Sequence, residues 1–243
     1  MKKILYIISA VGLIVSSCSK DFETNIDSNA LVAASFNGAS ITRVVDNMWQ
    51  EGDQIGVYAY DTEGDIYDSY SNIPYENISD GAVSAFDISG TTTIYYPTNG
   101  NALTFLAYSP YQDISEDYVY SVDVSDQTDP ALIDLIISDE GKEYSKSNPT
   151  AELSFSHVLS KLSMDLKVGE GLTSSELEDI SISINGISVK GTYNLADNTI
   201  ITDEDGKSVN PLTVTNGTDY EAILIPGTYS AMEVTFNLKD GVK

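Results

Sequence analysis

Four residue types that often carry chemistry or cross-links occur only once each in this chain of 243 residues. They are Cys18, Arg43, Trp49 and His157. A lone cysteine cannot form a disulfide within the chain, and a zinc site needs several cysteine or histidine ligands. The sequence therefore excludes an internal disulfide and argues against a metal site built from these side chains.

Basic residues are also scarce: 12 Lys and Arg stand against 37 Asp and Glu, for a formal net charge of −25. Proteins that bind nucleic acid carry a basic patch, so this balance argues strongly against a nucleic-acid partner. It equally argues against adsorption to anionic lipids through charge. The acidic residues are spread along the chain, which is typical of a soluble, self-repelling surface.

Catalytic sequence patterns are missing as well. The chain has no GxSxG nucleophile elbow and no GxxxxGK[ST] phosphate loop. His157 lies in an apolar run beside Phe155 and Leu159, which favours a structural role. Residues 201–206 (ITDEDG) resemble part of a calcium loop, but Ile201 stands at the first ligand position, so a turn is favoured. We predict no enzyme activity and no cofactor, although 37 acidic residues leave a carboxylate pair for glycoside hydrolysis open.

The N-terminus carries an export signal. Lys2 and Lys3 precede an apolar run of 12 residues, 4–15, which is too short to span a bilayer and right for a signal peptide. The run ends in Val-Ser-Ser-Cys, which resembles a bacterial lipobox with Cys18 as the lipidated residue. We predict a lipoprotein signal peptide at 1–17 and a tether or propeptide with a first strand at 18–43. An ordinary signal peptide with a chance cysteine is the alternative.

The rest of the chain has the pattern of an all-β protein. Asn-Gly or Asp-Gly, which favour tight turns, occur seven times, starting at positions 37, 80, 99, 185, 205, 216 and 240. Short alternating segments lie between them, which predicts antiparallel β-sandwich structure. Turns are predicted at Asn37-Gly38 and Asn185-Gly186, and a strand, or else a short helix, at residues 131–137. In residues 49–60, apolar residues alternate with polar ones and tyrosines, which predicts a half-buried strand with Trp49 as its core anchor; a sugar-stacking tryptophan is the alternative.

Three segments resemble motifs of a known family. They are WQEGDQIGVY at 49–58, preceded by Thr42-Arg43, then FLAYSPY at 105–111 and FSHVLSKL at 155–162. Their order and spacing, together with the lipobox, are similar to those of the fimbrillin family of Bacteroidales, the subunits of type V pili.

The resemblance implies a fold and a life cycle. The fold is all-β, with two transthyretin-like antiparallel β-sandwich domains in series at 44–150 and 151–243, the second incomplete because family members continue beyond such a position. The precursor is expected to be an outer-membrane lipoprotein, held through its lipid anchor. A protease then cuts after Arg43, making Val44 the new N-terminus and releasing the first strand.

The partners implied by the resemblance are other pilus subunits. A strand of such a subunit fills the groove that the released first strand leaves, by β-strand addition. This assembly places the mature protein in a cell-surface fimbrium. The alternative is a surface lipoprotein that binds glycan or a host ligand without polymerising, with Tyr67, Tyr70 and Tyr75 as the candidate aromatic platform.

Overall fold

The computed structural model describes residues 30–40, 48–114, 118–139, 141–178, 180–203 and 206–238. The all-β prediction is confirmed: in these residues the only helices are a 3₁₀ turn, Pro130–Leu132, and the four-residue α1, Ser174–Leu177. None of the helices in this part of the chain has the length and apolar character needed to cross a membrane. The strands are β1 Ser35–Ser40, β2 Gln54–Tyr60, β3 Ile73–Asn77, β4 Val83–Ile88, β5 Thr104–Ser109, β6 Val119–Asp123, β7 Ile136–Ser138, β8 Thr150–His157, β9 Ser160–Asp165, β10 Ser181–Ile187, β11 Lys190–Asn194, β12 Thr199–Thr202, β13 Lys207–Val209, β14 Leu212–Thr215, β15 Asp219–Leu224 and β16 Glu233–Asn237.

Seven strands close into a barrel in the order β1-β4-β3-β2-β5-β7-β8. Neighbouring strands are antiparallel except β1 and β8, which run parallel and close the barrel. Closure leaves the barrel without the unpaired edges of an open sheet. The interior is apolar and rich in aromatic rings, among them those of Phe36, Trp49, Phe86, Phe105 and Phe155.

The remaining strands form three three-stranded sheets, in the orders β13-β10-β16, β12-β11-β6 and β14-β15-β9. They surround a second core that includes Ile184, Ile187, Leu195 and Ile223. The chain passes between the two groups of strands more than once, because β6 pairs with β11 whereas β7 and β8 belong to the barrel. The predicted division into domains after residue 150 coincides with the start of β8 and stays a prediction.

Strand β2 connects the two cores. Ile55 and Val57 lie in the barrel core, whereas Tyr58 packs in the second core with Leu106 and Tyr108 of β5. The alternation in the sequence predicted the position of β2 correctly. The prediction that this strand is half-buried is wrong, because residues 55–59 are buried on both faces. On the outer face, Tyr58 is as buried as the aliphatic side chains inside, whereas Tyr60 is partly buried.

Two predicted turns are wrong. Asn37-Gly38 lies inside β1 and Asn185-Gly186 lies inside β10. Asn37 and Gly38 are both paired with β4 and β8, whereas Asn185 is paired with β13 and β16 and Gly186 lies at a β-bulge with a φ of 74°. The strand predicted at 131–137 is also shorter and later than expected: the 3₁₀ turn comes first, and only residues 136–138 pair as β7.

Burial of tyrosine makes the fold sensitive to alkaline pH. Burial raises the pKa of Tyr96, Tyr108 and Tyr120 well above the ordinary value of 10.0. Above pH 10 the unfolded chain therefore holds fewer protons than the native state, so stability falls as pH rises. Each group contributes at most about 1.4 kcal/mol per pH unit. We expect the free energy of unfolding to fall by about 2 kcal/mol between pH 9 and pH 10.5, as measured by urea titration.

The matched control is Tyr120→Phe, which removes one of these buried hydroxyls and should make the decline in stability with pH less steep. A free energy of unfolding that stays constant from pH 9 to pH 10.5 would contradict the expectation.

Candidate functional site

The strand β1 occupies a distinct place in the barrel, because it comes first in the described sequence and lies between β4 and β8. It is antiparallel to β4, with Phe36 opposite Phe86, and parallel to β8, with Ser35 opposite Thr150. The residues just before it continue the contact, since the Ala34 amide donates to the Ile94 carbonyl at 2.9 Å. We call the space between β4 and β8 that β1 fills the β1 slot.

The inward face of β1 is apolar and fully enclosed. Ala34, Phe36 and Gly38 alternate along this face and all three are buried. The Phe36 ring is 1% exposed and meets the rings of Tyr75 and Phe105 edge-on, with centroids 4.7 Å and 5.0 Å away. A single side chain thus inserts deeply into the barrel core.

Under Gly38 the slot is closed by three packed rings, which we call the aromatic floor: Trp49, Phe86 and Phe155. The Trp49 ring contacts the other two edge-on, at centroid distances of 4.9 Å and 5.2 Å. A Cβ atom placed on Gly38 would lie 2.7 Å from Phe86 Cε2, 3.2 Å from Phe155 Cε2 and 3.3 Å from Trp49 Cζ2. The backbone of β1 therefore rests directly on the rings.

The outward face of β1 is polar and makes few side-chain contacts. The Ser35 and Thr150 hydroxyls are 3.0 Å apart, and Asn37 Nδ2 donates to Glu152 Oε1 at 2.9 Å. These hydrogen bonds are exposed to solvent, where a single bond adds only about 0.5–1.5 kcal/mol. The strand is therefore held mainly by its main-chain ladder and by the side chains that point inward.

Trp49 is a core anchor, as predicted. Its side chain has no exposed surface, and its main chain forms a bridge with Gly81, in which the Trp49 amide donates to the Gly81 carbonyl at 2.7 Å. Complete burial leaves no ring face for a sugar, so the alternative of a sugar-stacking tryptophan is wrong.

The predicted processing and lipidation residues, Cys18, Arg43 and Val44, lie outside the described residues. In sequence, Arg43 follows the last residue of β1, Ser40, by three positions. The description of the chain resumes at Met48, next to Trp49 of the aromatic floor.

His157 has a partner that the sequence did not reveal. Its Nδ1 lies 2.8 Å from Asp134 Oδ2, and the two side chains are 19% and 7% exposed. Asp134 precedes β7, and His157 ends β8 opposite Ile136, so the pair lies where the barrel meets the second core. No signal in the sequence could have singled out Asp134 among 37 acidic residues.

The tyrosines predicted as a glycan platform do not form one. Tyr70 and Tyr75 are 8% and 3% exposed and belong to the barrel core, against which Tyr67 packs. Tyr60 and Tyr118 are among the residues that line an open cleft, and their nearly parallel rings have centroids 6.5 Å apart. Sequence reasoning missed this pair, because the two residues are 58 positions apart.

The acidic loops are stabilised by their own hydrogen bonds. In the turn after β2, Asp61 Oδ1 accepts hydrogen bonds from the amides of Glu63 and Asp65. Across the described ranges, acidic, histidine and cysteine side chains nowhere gather in threes that could hold a metal ion. The feature of these residues with the clearest capacity for binding is therefore the β1 slot, which takes an extended strand.

Comparison with known proteins leads to a single family. The model of a family described as fimbrillin-like matches residues 42–243. The proposed fimbrium subunit Fim1C of Bacteroides uniformis is 30% identical over 232 residues, which cover 93% of this chain and 76% of that protein.

Solved structures agree with this match. A proposed cell adhesion protein from Bacteroides uniformis is 29% identical and superposes with a TM-score of 0.75, over 86% of this chain and 80% of that one. A proposed cell adhesion protein from Bacteroides ovatus shares the fold, with a TM-score of 0.62 at 19% identity, over 86% of this chain and 89% of that one. The chain belongs to the fimbrillin-like family.

Proposed function

We propose that this chain is a non-enzymatic structural and adhesive subunit of a cell-surface fimbrium. In this proposal the precursor is exported as an outer-membrane lipoprotein anchored through Cys18. Cleavage after Arg43 makes Val44 the new N-terminus, frees β1 from the rest of the chain and allows a strand of another subunit to take its place.

The observation that carries the proposal is the position of β1. It is the strand that closes the barrel, and it ends three residues before the only arginine of the chain. A cut at that arginine would leave β1 bound only by non-covalent contacts. An arginine-specific protease would find no other site in the sequence.

An emptied slot would be a strong binding site for a strand. The edges of β4 and β8 would present unpaired amides and carbonyls, and unpaired edges pair readily with other chains. The aromatic floor, and the pocket beside Tyr75 and Phe105 that holds the Phe36 ring (the Phe36 pocket), would be uncovered. An incoming strand would restore both the main-chain hydrogen bonds and the apolar burial. Strand addition uses these two contributions, with the main chain giving affinity and alternate side chains giving register.

We further propose two transthyretin-like β-sandwich domains in series, at 44–150 and 151–243, which exchange strands: β8 of the second segment completes the barrel, and β6 of the first pairs with β11. The presence of separate apolar clusters in the barrel and in the second group of strands supports this proposal. The 29–30% identity to a fimbrium subunit and to a cell adhesion protein supports a role in surface appendages.

Cleavage of the purified chain with an arginine-specific protease tests the proposal. We expect one cut, two fragments that stay together under native conditions, and slow formation of oligomers that appear as a ladder on gels of unboiled sample. The Arg43→Ala variant is the matched control, because it removes the only cleavage site, and it should stay intact and monomeric. In the native host the same variant should keep the precursor mass. A cleaved chain that stays monomeric, or an Arg43→Ala chain that matures normally, would refute the proposal.

A further inference from the structure

We propose that the β1 slot selects the strand that fills it through a short pattern: a large apolar residue, any residue, then glycine. In β1 this pattern is Phe36, Asn37 and Gly38. The inference rests on the proposed strand exchange and adds the chemistry of the partner strand. The occupant is a strand from another subunit that carries this pattern in the register of β1.

The glycine requirement follows from the aromatic floor. A methyl group at position 38 would come within 2.7 Å of Phe86 Cε2, closer than Cβ atoms approach other heavy atoms in real structures. Phe86, Trp49 and Phe155 are 5%, 0% and 1% exposed, so the rings lie inside the core and cannot move out into solvent. A well-packed protein interior responds to extra atoms with shifted side chains and backbone, which is destabilising.

The strand cannot avoid the contact by lifting off the floor. Gly38 is paired on one side with Ser84 of β4 and on the other with Leu153 of β8. Moving the backbone outward would break hydrogen bonds to both neighbours at once. Position 38 is therefore restricted from three directions, below by the rings and laterally by the two strands.

The large apolar residue two positions earlier follows from the depth of the Phe36 pocket. Its ring has edge-on contacts at 4.7 Å and 5.0 Å with Tyr75 and Phe105 and is 1% exposed. A small side chain in the same register would leave a cavity, and the lost ring contacts would weaken binding by about a hundredfold or more. Phe36 and Gly38 are two residues apart and lie on the same face of β1, because side chains along a strand alternate between its two faces.

The residue between them is under much less restraint. Asn37 points outward, and its Nδ2 bonds to the exposed carboxylate of Glu152. Solvent can replace this bond, so other side chains are tolerated there. Asn37 is therefore a built-in control, because it lies in the same strand and the same ladder but on the opposite face.

Peptide exchange tests the pattern. The chain cleaved after Arg43, with its β1 fragment still bound, is incubated with an excess of fluorescent peptides covering residues 33–41, and bound peptide is measured after gel filtration. The native peptide and its Asn37→Ala version should be taken up to within about threefold of each other. The Gly38→Val peptide should be taken up about tenfold less or worse, since 1.4 kcal/mol of strain is a factor of ten. Uptake of the Phe36→Ala peptide should be lower by about a hundredfold or more.

Equal uptake of the Gly38→Val and native peptides would overturn the pattern and leave strand exchange standing. If no peptide is taken up, the proposed exchange fails, and the selectivity of the slot is then judged in the intact chain. There Gly38→Val should lower the urea midpoint clearly, whereas Gly169→Val, at a glycine with no neighbouring atoms within 4 Å and no left-handed backbone, should not. Equal midpoints for these two variants would overturn the pattern independently of exchange.

Discussion

Replacement of Trp49 by alanine is expected to lower the free energy of unfolding by about 3–5 kcal/mol, the range found for large aromatic residues in cores. The side chain has no exposed surface and packs edge-on against Phe86 and Phe155. Its loss would open a cavity directly under Gly38, in the floor on which β1 rests. Because domains of this size are usually stable by only about 5–15 kcal/mol, the loss is a large share of the total.

The measurement is urea unfolding followed by far-ultraviolet circular dichroism, since the variant loses the only tryptophan as a fluorescent reporter. Met48→Ala is the matched control, because Met48 is the neighbouring residue but is 46% exposed, and its replacement should change the free energy by less than about 0.5 kcal/mol. Equal effects of the two substitutions would show that Trp49 does not anchor the barrel.

Replacement of His157 by alanine is expected to cost about 2–3 kcal/mol, because it leaves the buried carboxylate of Asp134 without its partner. Within the described residues, the other oxygen of that carboxylate, Oδ1, is buried and accepts no hydrogen bond. The remaining bond, from His157 Nδ1 to Oδ2, is the one that the substitution removes. Asp134 would then be a buried polar group with no compensation at the junction of the two cores.

A double-mutant cycle separates this effect from lost packing. The double variant Asp134→Leu, His157→Ala removes both polar partners and should be more stable than His157→Ala alone. The measurement is again urea unfolding, here followed by Trp49 fluorescence. Additive effects of the two single substitutions would mean that the pair contributes no coupling, and the expected result would be wrong.

Local patterns were sufficient to predict the features that depend on local order. The alternation in residues 49–60 located β2, and the single tryptophan at its entrance was predicted as a core anchor and is one. The three family motifs predicted the fimbrillin-like family, whereas the structural role predicted for His157 stays a prediction. The strand and its anchor are indicated by one short segment, whereas the family is indicated by several such segments in a fixed order along the chain.

Features that depend on distant partners could not be predicted in this way. Asn37-Gly38 and Asn185-Gly186 have the composition of turns, yet both lie in strands: pairing on both sides holds Gly38 extended, and Gly186 keeps a left-handed backbone in a β-bulge. The value of Gly38 is its lack of a side chain above the aromatic floor, not conformational freedom. Two residues of that floor, Phe86 and Phe155, are 69 positions apart in the chain, so nothing in the sequence near Gly38 indicates them.

The parallel pairing of β1 with β8 also has a consequence for the order of folding. Asn37 and Glu152, which face each other across this seam, are 115 residues apart. A contact of such long range forms only after a large loop has closed, and folds rich in such contacts fold slowly. A ribosome makes β1 before any other strand of the barrel, but its parallel neighbour is made last. We therefore expect the earliest strand of the barrel to be synthesised to be among the latest to be incorporated, and the ring to stay open until residue 155 has been made.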